Sequence, residues 1–109
     1  MATGDLMTIK DALAKGLYIA VKQAEGKCVF ISPTRLLMLA GSPYVHQPRA
    51  KVVARNILSA LCSCGLLEYV GTRSKRHVYC VREGSPLWGI IKKSNGPEDV
   101  LRFIEKQLT

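Results

Sequence analysis

Acids and histidines are scarce in this chain of 109 residues: eight Asp or Glu and two His stand against sixteen Lys or Arg. The acids, Asp5, Asp11, Glu25, Glu68, Glu83, Glu98, Asp99 and Glu105, are scattered toward the two ends. They form no paired constellation, so the acid and base of a hydrolytic mechanism have no counterpart. Nucleophilic chemistry needs a Cys or Ser beside a His and an orienting group, and only His46 and His77 are on offer, one in a loop and one on a basic hairpin. A glycine-rich phosphate loop is missing as well, because Gly84-Ser85-Pro86 and its neighbours lack the spacing. These absences predict a protein that is not an enzyme and carries no cofactor.

Long apolar runs are also absent. None approaches the roughly 18 to 20 residues of a spanning helix, and Met1-Ala2-Thr3-Gly4-Asp5 lacks the basic start of a signal peptide, so the expectation is a cytoplasmic protein. Aromatic residues are few, two Phe, four Tyr and one Trp. No pair among them is spaced as a stacking platform, which ranks RNA below duplex DNA as a partner. Of the four cysteines, Cys62 and Cys64 lie two apart on a helix and point about 160° from each other, so they do not chelate one ion. No metal site is expected.

Positive charge is what the chain has in quantity. The formal net charge is +8 and the pI about 9.6, which favours a polyanionic partner. Between Arg35 and Arg82 there are eight Lys or Arg (Arg35, Arg49, Lys51, Arg55, Arg73, Lys75, Arg76, Arg82) against Glu68 alone, so this segment holds +7 of the +8. A chain of this length is one small domain, residues 1–109, able to bury a single core.

The segment from Pro48 to Arg82 carries the most information. Pro48 suits a first helical position, where its missing N–H costs nothing. Ala50, Val53, Ala54, Ile57, Ala60, Leu61 and Cys64 recur at three- and four-residue spacing and predict one buried face. Arg49, Lys51, Val52, Arg55, Asn56 and Ser59 occupy the other. Gly65 stands where a left-handed C-cap ends a helix without strain. Leu66 to Val70 reads as a strand, Gly71-Thr72-Arg73-Ser74-Lys75 as a turn, and Arg76 to Arg82 as the returning strand.

Upstream, Thr8 and Asp11 resemble a capping box. A stripe of Leu6, Ile9, Leu13, Leu17, Ala20, Val21 and Ala24 predicts a first helix to about Ala24. Lys27 to Ile31 is a short strand candidate. Ser32-Pro33 reads as an N-cap and first-turn proline for a helix to about Ala40.

The order helix, strand, helix, helix, strand, strand, with Ile57-Leu58-x-x-Leu61-x-x-x-Gly65-Leu66-Leu67-Glu68, a short basic turn and Tyr79-x-Val81, resembles a winged helix-turn-helix domain over residues 6–82. It is similar to many bacterial and archaeal transcription regulators. The resemblance implies a helix-rich α+β fold (α-β-α-α-β-β) and double-stranded DNA binding, with helix 48–64 in the major groove and hairpin 71–77 as the wing. Arg49, Lys51, Arg55, Asn56 and Ser59 are then the candidates for base edges, where Arg pairs with guanine and Asn with adenine. Arg73, Lys75 and Arg76 would contact phosphates or the minor groove, and Ser32, Thr34 and Arg35 would hold the backbone. The competing expectation is a protein-interaction subunit of a replication, transcription or RNA-processing complex, for which Val52 and the apolar Leu87 to Ile91 run are the candidates.

The same resemblance sets the strand before the second helix beside the last hairpin strand. Cys28 and Cys80 are then placed for a disulfide if they share a sheet face, although two thiols are the default in a reducing compartment. After the hairpin, Gly84-Ser85-Pro86 breaks the chain and Asn95-Gly96-Pro97-Glu98 opens an additional C-terminal helix, within an extension of residues 86–109. Its stripe of Val100, Leu101, Ile104 and Leu108, with Phe103 beside it, is expected to pack on the first helix of its own chain; the alternative is a homodimer through these terminal helices.

Overall fold

The computed structural model of the chain describes residues 9–41, 47–73 and 76–108. Its first helix, α1 (Ile9–Lys22), is buried on more than one side: Ala12, Leu13, Ala14, Gly16, Leu17, Ala20 and Val21 are all inaccessible. A helix with small residues between its leucines can be packed from several directions, and α1 touches every other helix of the fold. Gly16 marks the closest approach. A Cβ there would lie 2.9 Å from the Leu36 Cα and closer still to the Leu36 carbonyl oxygen, so only glycine lets the second helix cross at this depth.

Strand β1 (Cys28–Ile31) leads into α2 (Pro33–Leu39). Ser32 caps α2 as its sequence predicts, its hydroxyl accepting from the Arg35 backbone N–H at 3.2 Å. The third helix, α3 (Pro48–Ser63), begins at the proline and ends at Cys64. Gly65 adopts φ +80°. Its N–H bonds the Cys62 carbonyl and that of Leu66 reaches back to the Leu61 carbonyl, both at 3.0 Å. This is the paired closure of a Schellman motif.

The hairpin differs from expectation. Leu66 and Leu67 are buried beneath the end of α3, and the outgoing strand β2 is Glu68–Arg73, so Gly71, Thr72 and Arg73 belong to the strand and not to the turn. The return strand β3 is Arg76–Arg82, and the connecting residues 74–75, with the expected contact Lys75, lie outside the described set. The sheet is antiparallel in the order β1-β3-β2. Val70 is the extra residue of a bulge: Tyr69 pairs with Tyr79 but Gly71 with Val78. Ile31, Tyr79 and Val81 face the core, and by alternation Phe30, Cys80 and Val78 face the other way.

The chain beyond the sheet forms two helices where one was expected, α4 (Pro86–Lys93) and α5 (Pro97–Leu108). Ser85 caps α4 by accepting from the Trp88 N–H at 3.2 Å, the same Ser-Pro start that opens α2. Leu87, Trp88 and Ile91 are buried, so the apolar run is used up inside the domain. At about 1.5–3 kcal/mol for each large apolar side chain buried, that run favours the folded state. Val100 and Ile104 of α5 are also fully buried, with α5 packed on α1 of the same chain. Lys10 on α1 and Glu105 on α5 form an ion pair at 3.6 Å over the joint. No helix of the described residues is long and apolar enough to cross a membrane.

Candidate functional site

The buried face of α3 is Ala50, Ala54, Leu58 and Leu61. It is rotated from the face the sequence predicts: Leu58 is inaccessible, whereas Val53 is 38% exposed and Cys64 exposed. The cause is that α3 is packed by α1 and α2 on one side and by the sheet on another. Contacts with α5 add to this packing, and Leu58 is fully buried. The rotation decides which polar residues meet the hairpin. At 100° per residue, Lys51, Arg55, Ser59 and Cys62 line the flank toward β3, while Arg49, Val52 and Asn56 form the outermost row.

Across that flank, α3 and the sheet are joined by side chains. The Arg55 guanidinium donates to His77 Nε2 at 3.4 Å. His77 Nδ1 lies 2.9 Å from the Tyr69 hydroxyl, which is 3.2 Å from the Thr72 hydroxyl. One residue further along β3's inner face, the Tyr79 hydroxyl meets the Ser59 hydroxyl at 3.3 Å. The Tyr69 ring stands edge-on to Tyr79, centroids 5.4 Å apart, and tilted over His77 at 5.8 Å. Because a guanidinium can only donate, His77 Nε2 is the acceptor of the bond to Arg55. Sequence reasoning left His77, Tyr69 and Tyr79 out of the site and found no paired aromatics. The missed signal is the alternation His77-x-Tyr79, which puts both rings on the face toward α3.

Two clefts flank the hairpin. The first, about 320 Å³, runs between the start of α2, α3 and β3, with Thr34, Lys51, Val52, Arg55, Arg76 and His77 in its walls. The second, about 330 Å³, lies on the other side of Arg76, over β1 and the start of α2, with Phe30, Ser32, Arg35, Arg73 and Val78. Neither lining includes a carboxylate. Among the described residues the ion pairs fall elsewhere, at Lys10–Glu105, Arg82–Glu68 and Arg102–Asp99. Among the described residues, no acid forms an ion pair with Arg35, Lys51, Arg55, Arg73 or Arg76.

The fold thus brings Lys51, Arg55, Ser59 and Arg76 together on the α3 side, and Arg35 with Arg73 on the far side. Arg49 and Asn56 stand exposed on α3, away from the clefts. Ser32, largely buried, accepts the cap bond from the Arg35 N–H and lines the second cleft beside Arg35. His46 lies outside the described residues.

Cys28 and Cys80 carry free thiols. Strand register explains why they are near but not opposed: Cys28 pairs with Arg82, and Phe30 pairs with Cys80, so the two are diagonal on one face. Burial, followed by a hydrogen bond with Cys28, pushes the Cys80 thiol above its ordinary range. Cys62, on the cleft flank of α3, is also raised by burial.

Comparison with protein-family models, with curated proteins and with solved structures finds no match for this chain.

Proposed function

We propose that this chain is a non-enzymatic, double-stranded DNA-binding protein of the winged-helix type, a small transcription regulator with α3 as the groove-entering helix and the β2–β3 hairpin as its wing. The observation that carries the reading is the cleft where Lys51 and Arg55 of α3 meet Arg76 of β3 with no acid between them. A continuous row of unpaired cations along a helix and an adjoining hairpin suits a phosphate backbone that passes from one to the other. The exposed face of α3 presents Arg49, Asn56 and Ser59 as donors and acceptors for base edges, and Val52, 45% exposed, as an apolar contact of the kind a thymine methyl takes.

The competing reading, a protein-docking subunit, loses one of its two supports, because Leu87, Trp88 and Ile91 are in the core. The remaining support on α3, Val52 with its exposed neighbour Val53, is a small surface for a partner.

The test is binding to random-sequence duplex DNA across a salt series. Wild type is expected to lose affinity steeply with salt. Arg55→Ala is expected to weaken binding severalfold, and the combined Arg73→Ala, Arg76→Ala variant to lower the salt slope by about two. Absence of duplex binding at low salt overturns the reading.

A further inference from the structure

The second cleft has a composition of its own. Its floor is Phe30, 52% exposed on the outer face of the sheet, with Val78 beside it. Arg73 stands over the Phe30 ring, its guanidinium carbon 5.8 Å from the centroid. Arg35 and Arg76 complete the wall, and no carboxylate enters it. An aromatic ring with a planar guanidinium over it offers two flat surfaces for a π-system, and two further guanidiniums beside it suit a phosphate. A cavity of about 330 Å³ has room for one nucleoside unit but not for a duplex. Base pairs within a duplex hide their faces in the stack, so a ring of this kind is useful only to a base that has left it.

We infer that the Phe30 cleft binds an unpaired nucleotide of a strand that continues from a duplex seated on α3, so that the protein prefers a junction of double- and single-stranded DNA to a blunt duplex. Arg76 lines both clefts and is the phosphate contact at which the strand crosses the hairpin. The base stacks on Phe30 and the Arg73 guanidinium, and Arg35 takes the next phosphate. The inference rests on the duplex-binding reading, but its own content is the preference for a tail.

The experiment compares, at one salt concentration, affinity for a blunt duplex and for the same duplex extended by about six unpaired nucleotides, a length on the scale of single-strand sites. Wild type is expected to bind the tailed duplex about tenfold more tightly, within what one base stacked on an aromatic ring contributes. Phe30→Ala is expected to abolish that preference while binding the blunt duplex as wild type does, and Phe30→Trp to keep it. Equal affinity of wild type for tailed and blunt duplexes overturns the inference and leaves the duplex reading standing. Saturable binding of adenosine monophosphate without any tail preference also overturns it, in favour of a free nucleotide. Loss of blunt-duplex binding in wild type is instead a failure of the parent reading.

Discussion

Arg55 on α3 is tied to His77 on β3 by a 3.4 Å hydrogen bond that bridges α3 and the hairpin. The bond fixes a long side chain that would otherwise lose rotamer freedom on meeting a ligand. Replacing His77 by Phe keeps the ring contact with Tyr69 but removes the acceptor. Duplex affinity is expected to fall about fivefold, the scale of one exposed hydrogen bond to a charged group, with little change in thermal midpoint. Fluorescence anisotropy and a melting curve on the same variant check both halves. Unchanged affinity would mean that Arg55 needs no such support.

The Cys80 thiol is held above its ordinary range by burial and by donating to Cys28, so it stays protonated when exposed thiols begin to ionise. In the unfolded chain Cys80 regains its ordinary value. The unfolded state then binds fewer protons than the native one in the window above about pH 8.5, and stability falls as pH rises through it. Below that window the contribution is fully present. Urea midpoints between neutral and alkaline pH are expected to decline less steeply for Cys80→Ala than for wild type, whatever the offset between the two at neutrality. Native-state alkylation is expected to reach exposed Cys64 first and Cys80 last.

Gly16→Ala tests the α1–α2 crossing. In an open helix the change would favour folding by about 1 kcal/mol. Here the new methyl meets the Leu36 backbone, which cannot rotate away, and overpacking of this kind costs about 1–3 kcal/mol. The net expectation is a destabilised protein with a thermal midpoint lower by several degrees, read by circular dichroism. A raised midpoint would show that α2 can retreat without loss.

Ile104→Ala tests whether α5 is part of the core. Ile104 is fully buried, and truncating such a residue costs about 2–5 kcal/mol. Chemical denaturation is expected to show that loss in a single transition shared with the rest of the chain. A separate early transition would place α5 outside the cooperative unit.

Helix starts and stops were legible wherever a local residue settles them: Ser32-Pro33, Pro48, Gly65 and Pro97 all act as their chemistry predicts. The start of α4 was legible in principle, since Ser85-Pro86 repeats the Ser32-Pro33 pair, but its eight residues are too short for an apolar period to stand out. The rotation of α3 was not legible. Val53 and Leu58 both satisfy a helical period, and only the positions of α1, α2 and the sheet choose between them. The basic residues of the site could be named in advance; their division between two sides of the hairpin could not, because it depends on strand register. His77 and Tyr69 escaped notice for a related reason, as their contact is made across β2 and β3.

The bulge at Val70 gives that register a further meaning. With it, Thr72 falls opposite His77 and Arg73 opposite Arg76, so Arg73 ends on the Phe30 side of the sheet. In a regular ladder of the same sequence, with Val70 opposite Val78, Gly71 would oppose His77, Thr72 would oppose Arg76, and Arg73 would be carried into the turn. The bulge therefore acts as a selector that assigns a cation to one side of the hairpin or withdraws it. Shifting the pairing of β2 by one position, with no change in any contacting residue, is a route by which this fold moves a cation off one side of the hairpin.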